Sequence, residues 1–437
     1  NLEVRLGTVA QGCYGDLWIA LTDDRKLTKL RTGALVVATG VFEQPAVFHN
    51  NDLPGVMLGS GVQRLIRLFA VKPFHRAVIL TANPEGYRVA LDLHDAGVKI
   101  AAIADLREHA QPSELMQQVT DAGITVHHGY MVYEARAGVR NRSVDSAVLC
   151  RLDDRGQRQA DTEVDVPCDG IVMSVGWAPA GGLVYQAGGR FAYSNQLEQF
   201  VPSTLPDGVF TAGRVNGIFE LAEQIADGGR AGQAAATFAG YAPTSTPPLA
   251  KGGATETHVR ATVEPVENIP PPSHPFPIFD HPHGKNFVDL DEDIHLADFH
   301  HAHQEGYDNI ELMKRYTTFG MGASQGKLAN MNVVRILARL NGESIDQTST
   351  TTSRPFHHPV PLGHLAGRRF HPVRRTPMHE WHEKAGAQFM YVGSWLRPEY
   401  YAPKDESRDV CILDEARQMR QNVGIIDVGT LGKIEVS

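Results

Sequence analysis

The chain has 437 residues, which is more than one hydrophobic core usually supports, so its length predicts two to four domains. Charged residues make up 21%, hydrophobic residues 42%, and the formal net charge is −9. No apolar run reaches the roughly 18 residues that a membrane-spanning helix needs. The composition therefore argues against a membrane-embedded chain and, with its negative charge, against a nucleic-acid-binding one.

The four cysteines, at positions 13, 150, 168 and 411, lie far apart in the sequence. No CxxC pair occurs, which argues against a disulfide framework or a zinc knuckle and favours a reducing compartment such as the cytoplasm. The chain begins without methionine or a signal peptide and stops directly after the strand-like run KIEV. We therefore expect an internal piece of a longer polypeptide.

The first segment with a functional signature runs from Gly33 to Pro45 and reads GALVVATGVFEQP. Its apolar strand ends at Thr39 and Gly40, where the missing Cβ lets the backbone approach a ligand closely. Two-dinucleotide flavoproteins place such an ATG segment against the flavin nucleotide, so Thr39 and Gly40 are candidate cofactor contacts. Taken alone, a buried strand that stops at a glycine explains the pattern more often.

From Arg76 onward, short strands alternate with helical patterns in AVILTA, YRVALDLHDAG and VKIAAIAD, which predicts a βαβ unit of Rossmann type. A dinucleotide fingerprint would read GxGxxG after the strand, but this chain has Thr81, Asn83 and Gly86 at the three glycine positions. Asp105 ends the next strand, where a ribose-binding acid is expected. Because two side chains would crowd the phosphates, the loop predicts a Rossmann fold more strongly than it predicts nucleotide binding.

A second flavin-like signature, GVFTAGRVNG, spans Gly208 to Gly217 and precedes an Ala/Gly-rich helical run. The usual pattern has an aspartate after the glycine, whereas here Arg214 follows Gly213, and a guanidinium cannot accept a hydrogen bond from a ribityl chain. Tightly bound FAD is therefore not favoured. A cation facing a pyrophosphate or NAD and a pocket that has lost its ligand both stay open.

Three short helices are predicted at 298–306, 309–317 and 329–341, around the segment KRYTTFGMGASQGK. This segment resembles the iron–sulfur turn of small cluster-binding domains, which need thiolate ligands, usually four. At the corresponding positions the chain has Asp289, Asp291, Phe319 and Ser324, none of which is a thiol. The pattern predicts either the shell of a redox domain without its cluster or a helical pair joined by a Gly-rich turn.

The histidines suggest a metal only superficially, because the chain has no HExxH arrangement and no accompanying cysteines. A solvated helix face explains His295, His300, His301 and His303 better, so we predict no metal site. The basic residues of the second linker are predicted to form a solvated or subunit-contacting arm; they are Arg368, Arg369, Arg374 and Arg375. No nucleophile triad or carboxylate pair is evident, so no catalytic residue is assigned.

The stretch 242–284 holds 10 of the 26 prolines and little periodic apolar pattern, which predicts an extended linker lying over a surface. The remaining boundaries follow from the motifs. We predict a FAD/NAD-binding-type domain at 1–72 and 166–241, an inserted Rossmann-type domain at 73–165, a helical domain at 285–342, a second linker at 343–376 and a further domain at 377–437.

Five segments, in this order, resemble the alpha subunits of heterotetrameric sarcosine oxidases: DLPGVMLGSGVQ, VILTANPEGYRVALDLHDAGV, KRYTTFGMGASQGK, TTTSRPFHHPVPLGHLAG and HEWHEKAGAQFMYVGSWLRPEYY. The similarity runs from about Gly33 to Ser437. It implies a multidomain α/β chain with a flavoprotein-reductase-like module that binds two dinucleotides. A cysteine-free helical domain and the start of an aminomethyltransferase-like α+β folate domain, from about Met378, would follow.

The resemblance also implies an activity, oxidative demethylation of sarcosine to glycine with hydrogen peroxide, the one-carbon unit passing to tetrahydrofolate. It implies FAD and FMN in the assembled complex, NAD bound without turnover, no iron–sulfur cluster, and beta, gamma and delta partner subunits. Gly40, Gly213 and Arg214 would then touch the dinucleotide. A subunit of the N-methylglutamate dehydrogenase type and a non-catalytic assembly subunit are the alternatives.

Overall fold

The computed structural model describes residues 3–138, 142–153, 156–241, 274–367, 371–402 and 406–432. The chain divides into two compact units, Asn1–Pro361 and Leu362–Ser437. Both units mix helices and strands, and the first contains several sheets together with a helical domain, so the predicted multidomain α/β class is confirmed. Among the described residues, no helix is both long enough and apolar enough to cross a bilayer.

The amino-terminal part of the first unit begins with an antiparallel three-stranded sheet, β1–β2–β3, and continues into short strands that pair with distant ones. Strands β1 to β6 are Val9–Tyr14, Trp18–Thr22, Leu27–Arg31, Leu35–Val37, Val41–Glu43 and Val56–Leu58. Helix α1, Gly59–Phe69, follows β6.

The next segment forms the βαβ arrangement that the sequence predicts, with strands β7 to β9 at Arg76–Thr81, Lys99–Asp105 and Val126–His128 and helices α2 and α3 at Glu85–Asp95 and Glu114–Asp121. An antiparallel sheet of β10, β11 and β12 comes next, at Tyr130–Ala137, Val144–Leu152 and Arg158–Pro167, followed by β13 at Gly170–Ser174. Strand β7 is buried along nearly its whole length because α-helices and the antiparallel sheet cover a parallel sheet on both faces.

The parallel sheet is larger than the sequence predicts. Its order is β6-β13-β7-β8-β9, with β13 paired to both β6 and β7. The Rossmann-type domain therefore takes a strand from each side of the predicted range 73–165. Short strands such as β6 carry too few residues for sequence periodicity to assign them to a sheet.

The first module closes with strands that return to the amino-terminal part of the chain. Strands β14 to β17 are Trp177–Pro179, Arg190–Ser194, Gln199–Thr204 and Val209–Thr211, with helices α4 at Gly182–Gln186 and α5 at Leu221–Phe238. Strand β17 lies parallel to β4, and β14 lies antiparallel to β5. These pairings bring the two flavin-like signatures together, although about 170 residues separate them.

The helical domain has a β-hairpin and three principal helices, close to the predicted bounds. Strands β18 and β19 are Phe287–Asp289 and Ile294–His295; helices α6 to α9 are Leu296–Gln304, Ile310–Thr317, Asn330–Asn341 and Ile345–Thr348. Phe299 and Phe319 are fully buried and meet edge to face with ring centroids 5.8 Å apart. Phe319 thus fills the core at a position where a cluster domain would have a thiol.

The described ends of both predicted linkers pack against the first unit. Ile278 and Phe279 are buried, and Phe279 N donates to Val47 O at 2.8 Å, so the chain at these two residues is part of the core and does not lie over a surface. Residues 242–273 of that prediction lie outside the described residues. Residues 343–361 also belong to the first unit, where the Gln11 side chain donates to Pro359 O.

The second unit contains α10 to α12 at Leu362–Leu365, His379–Lys384 and Arg408–Gln421, and strands β20 and β21 at Ala387–Val392 and Trp395–Tyr401. The two strands form an antiparallel hairpin. Residues 425–432 form no strand, and the strand-like run KIEV, at 433–436, lies outside the described part.

Candidate cofactor sites

The two flavin-like signatures meet at the carboxyl ends of two paired strands, β4 and β17. Because β4 and β17 are parallel, with Val37 opposite Thr211, their carboxyl ends lie side by side. Thr39 and Gly213 follow these neighbouring ends, and Ala212 N donates to Val37 O at 3.0 Å. The structure therefore brings together the predicted contacts Thr39, Gly40, Gly213 and Arg214, which we call the first strand-end site.

Gly40 and Gly213 have left-handed backbone conformations, with φ of +76° and +79°. A Cβ built on either residue would meet no atom within 4 Å. Glycine is thus needed at both positions for the backbone conformation, not for close packing. The open space above both residues is what close approach of a dinucleotide requires.

The turn at Gly213 is held by a carboxylate that sequence reasoning missed. Asp227 of α5 accepts hydrogen bonds from Gly213 N at 2.8 Å and from Asn216 Nδ2 at 2.9 Å, both on Oδ2. The usual pattern has its acid directly after the glycine, but here the acid comes from the following helix. The only sequence signal was the aspartate in the run ADGG.

The Arg214 side chain is half-buried between two aromatic rings. Its guanidinium carbon lies 5.6 Å from the Trp177 ring centroid and 5.4 Å from that of Phe219. Cation–π contacts of this kind hold a guanidinium without a carboxylate partner. The contact between Arg214 and a dinucleotide stays a prediction.

The loop after β7, which we call the second strand-end site, is filled by its own side chains. Thr81 is fully buried, and its hydroxyl oxygen lies 2.7 Å from Asn83 O and 3.0 Å from Ser174 O, so it can donate to either carbonyl. Asn83 Oδ1 accepts from Glu85 N at 3.0 Å. A Cβ on Gly86 would lie 2.2 Å from Thr81 Oγ1, so Gly86 serves helix–strand packing.

Asp105 is fully buried at the end of β8, and both of its oxygens are already bonded. Oδ1 accepts from Arg107 N and Nε at 3.0 Å each, and Oδ2 accepts from Arg107 Nη2 at 2.8 Å and from the Tyr87 hydroxyl at 2.5 Å. Burial, followed by the Asp105 charge, raises the pKa of Tyr87, which keeps this phenol protonated. A ribose could bind Asp105 only by displacing these donors. Contact between Asp105 and a ribose therefore stays a prediction.

Residue His274 lies across the same loop. Its backbone N donates to Ala82 O at 2.9 Å. Burial, helped by the charge of Arg335, lowers the pKa of the imidazole to about 4. A neutral ring therefore packs at the end of the parallel sheet, and the second strand-end site is covered by chain from the end of the predicted linker.

A pocket lies beside the Gly-rich turn, and we call it the Lys327 pocket. Thr350, Thr351 and Ser353 line it together with the apolar residues Phe42 and Met331. Lys327 Nζ donates to His357 O at 2.8 Å. The pocket thus combines one cation, several neutral donors and an apolar wall.

Two groups that line this pocket, Lys327 and His357, have lowered pKa values. Burial lowers the pKa of Lys327, and the Asp291 charge opposes this effect. Burial also lowers the pKa of His357 to about 4, with smaller contributions from His358 and Lys327. His357 Nδ1 and Asn330 Oδ1 are buried and have no hydrogen-bond partner within the described ranges.

The second unit contains a buried polar network around His382. The ring nitrogens lie 2.7 Å from the Tyr401 hydroxyl and 3.1 Å from Asp427 Oδ2, and Thr376 Oγ1 donates to the same carboxylate oxygen at 2.7 Å. This Thr376 bond is the largest of the effects that lower the pKa of Asp427 to about 2. The network ties the start of this unit to the segment after α12.

Two of the remaining candidates have structural roles. His295 caps α6, and Arg374 N donates to Ser394 O in the second unit. Arg368 and Arg369 lie outside the described residues. In the described part of the chain, no group of three or more His, Cys, Asp or Glu side chains is arranged to hold a metal ion.

Comparison with known proteins gives two family matches and several relatives. Residues 283–368 match the sarcosine oxidase A3 domain, and residues 378–437 match the GCVT N-terminal domain. The chain is 31% identical to sarcosine oxidase subunit alpha of Rhizobium meliloti (strain 1021), over all of this chain and 43% of that protein. It is 32% identical to the subunit of the same name from Corynebacterium sp. (strain U-96), over 94% of this chain and 42% of that protein.

The chain therefore spans somewhat over two fifths of the length of these two curated relatives. Among solved structures, L-proline dehydrogenase from P. horikoshii matches with a TM-score of 0.60 and 19% identity. That match covers 82% of this chain and 64% of the other. At this identity it shows a shared fold and nothing about substrate.

Proposed function

Because the chain belongs to the family of sarcosine oxidase alpha subunits, we propose that it works in a cytoplasmic hetero-oligomeric oxidoreductase that acts on the CH–NH group of sarcosine. The complex would oxidise the N-methyl group, release glycine and reduce oxygen to hydrogen peroxide. The one-carbon unit would pass to tetrahydrofolate at the folate-type domain that begins near Met378. Beta, gamma and delta subunits would be its partners.

The first strand-end site is the observation that carries the cofactor part of this proposal. Gly40 and Gly213 leave open space at adjacent strand ends, and Asp227 holds the turn between β17 and α5. These residues fit the backbone approach of a dinucleotide. Since Arg214 replaces the acid that a ribityl chain would use, we assign NAD to this site, bound without turnover.

We propose further that the Lys327 pocket would receive the phosphate of the second flavin, FMN, at a contact with a partner subunit. An ammonium group and the hydroxyls of Thr350, Thr351 and Ser353 are suitable donors for a phosphate dianion. Phe42 and Met331 give an apolar wall beside them. When bound, FMN would carry electrons from the FAD of the partner to oxygen, while this chain holds the phosphate.

A direct test is to co-express the full-length chain with its partner subunits and release the nucleotides from the purified complex. We expect one NAD, one FAD and one FMN per complex, and peroxide formation that depends on sarcosine. A fully folded complex that contains no NAD would remove the dinucleotide assignment. Turnover with N-methylglutamate in place of sarcosine would instead support the N-methylglutamate dehydrogenase type.

An assembly role without catalysis is the second candidate, and one observation favours it. The second strand-end site is filled by Thr81 and Asn83, and His274 lies across it. If this alternative holds, the chain expressed alone would bind neither NAD nor tetrahydrofolate, yet it would restore full activity to the partner subunits.

A further inference from the structure

Arg335 of α8 is a buried cation with few hydrogen bonds. Its side chain is 1% exposed and is the largest of the fully buried side chains in the described part of the chain. Nη1 donates to Asn332 Oδ1 at 3.3 Å, whereas Nε and Nη2 have no hydrogen-bond partner among the described residues. A guanidinium keeps its proton in proteins, so a full positive charge lies in the interior beside a neutral amide.

The two unpartnered groups lie on the same edge of the guanidinium. The N–H of Nε and one N–H of Nη2 point in nearly the same direction, and this fork matches the two oxygens of a carboxylate. An uncompensated charge in a protein interior is costly, and a buried polar group usually has a partner. The Nε–Nη2 edge of Arg335 therefore favours an anionic partner.

Gly176, in the connection between β13 and β14, leaves space beside this edge. Its φ is +146°, which residues with a side chain rarely adopt. Apart from its neighbours in the chain, a Cβ built on Gly176 would have a single described atom within 4 Å, Arg335 Nη2 at 3.8 Å. Gly176 O accepts from Gln44 N at 2.9 Å, which fixes this connection. The guanidinium edge thus borders a small open volume.

The titratable groups around Arg335 do not occupy its edge. Burial raises the pKa of Glu198, and the Tyr193 bond and the Arg335 charge oppose this effect. Glu198 Oε2 accepts from the Tyr193 hydroxyl at 2.5 Å. Burial and then the Arg335 charge lower the pKa of His274 to about 4, so that ring is neutral near pH 7. Neither Glu198 nor His274 bonds to Nε or Nη2.

We propose that the Nε–Nη2 edge of Arg335 binds a small carboxylate anion, of the size of formate or acetate, in the space beside Gly176. Each carboxylate oxygen would accept one hydrogen bond from the edge, and the anion would neutralise the buried charge. Bound there, the anion ties α8 of the helical domain to the connection between β13 and β14. The site shares no residue with the first strand-end site or the Lys327 pocket, so it does not depend on the proposed cofactors.

The test uses the full-length chain assembled with its partner subunits, and sodium formate is the probe. The complex is first dialysed into a buffer whose anion is a bulky sulfonate. We expect the thermal unfolding midpoint to rise with formate until it saturates, and to rise less with sodium chloride at the same ionic strength, because chloride does not match the planar fork. Saturation-transfer NMR of the formate proton should show binding at the same concentrations.

Two variants of Arg335 and one matched control locate the response. Arg335→Met removes the charge and the fork, so the formate-dependent rise and the NMR signal should disappear. Arg335→Lys keeps the charge but loses the fork, so it should bind formate more weakly than the wild type. Arg339→Met makes the same change one turn later in α8 and should keep the wild-type response.

Release of small anions on unfolding covers the case of a carboxylate that survives dialysis. Ion chromatography should then find about one carboxylate per wild-type chain and none in Arg335→Met. A formate response in Arg335→Met equal to that of the wild type would mean an adventitious ion only and would overturn the site. A wild-type complex that neither responds to formate nor releases a carboxylate would overturn it as well. Equal formate affinity of Arg335→Lys and the wild type would overturn the role of the fork.

Discussion

Gly213 and Gly86 occupy comparable places, since each follows a parallel strand closely. Gly213 lies in the connection between β17 and α5, and Gly86 lies in the first turn of α2, which follows β7. A Cβ on Gly213 would meet open space, whereas one on Gly86 would overlap with Thr81. At the first strand-end site, Gly40 and Gly213 allow positive φ and leave space beside the backbone, and Asp227 accepts a hydrogen bond from the turn at Gly213 N. At the second site, Asn83 Oδ1 already accepts the hydrogen bond from Glu85 N that a phosphate would accept. The Thr81 hydroxyl is bonded within the same loop, to Asn83 O.

The difference shows that a glycine at a βα turn has two separate uses, close packing and ligand approach. At the second site the glycine serves close packing. Its acid, Asp105, is bonded to Arg107 and Tyr87. The same loop also accepts a backbone hydrogen bond from His274.

The largest effect is expected at Asp105. Asp105→Asn removes a buried negative charge and leaves the Arg107 guanidinium, which is 10% exposed, without its ion-pair partner. Breaking a buried pair in this way should cost about 3 kcal/mol, seen as a lower urea midpoint of the full-length chain. The NAD content of the folded complex should stay the same. Loss of NAD at unchanged stability would place a nucleotide at the second site.

A smaller loss of stability is expected for Gly86→Ala, because the new Cβ would lie 2.3 Å from Thr81 Cβ. Overpacking of this kind costs about 1–3 kcal/mol. The double variant Thr81→Gly with Gly86→Ala should recover part of that loss, which a double-mutant cycle in urea would measure. Additive effects of the two substitutions would contradict the packing role.

The smallest stability effect and the largest loss of ligand are expected for Gly213→Ala. No atom would clash, but the positive φ should cost about 1–2 kcal/mol. NAD content of the purified complex should fall at least tenfold. Gly228→Ala, on the exposed face of α5, is the matched control and should leave NAD content unchanged. Equal NAD in both variants would remove Gly213 from the site.

Much of the fold was predictable from local patterns. The helices of the cysteine-free domain lie within a few residues of their predicted bounds, because each shows apolar periodicity and a clear start or stop residue. The strands AVIL and KIAAIAD were evident from their β-branched and apolar runs. The three-residue strand β6 was not, because its place in the sheet depends on pairing with β13, more than 110 residues away.

The candidate sites were predictable only in part, for a similar reason. Thr39, Gly40 and Gly213 carried signatures in the sequence, but Asp227 reaches Gly213 only through the fold of α5 onto the strand ends. The Lys327 pocket was missed altogether. Its wall combines the β5–β14 region, the Gly-rich turn and residues 350–357, and nothing in a linear sequence predicts that these three segments meet.

The sequence by itself determined the kinds of domain, the absence of thiols at Asp289, Asp291, Phe319 and Ser324, and the glycines that need unusual backbone conformations. These properties depend on residue type and short-range periodicity. Only the tertiary structure decided which glycines face open space and which face a neighbour. It also decided that Asp289 and Asp291, two acids in place of thiols, accept hydrogen bonds from the Gly-rich turn beside the Lys327 pocket, because hydrogen bonds between distant segments exist only once the chain has packed.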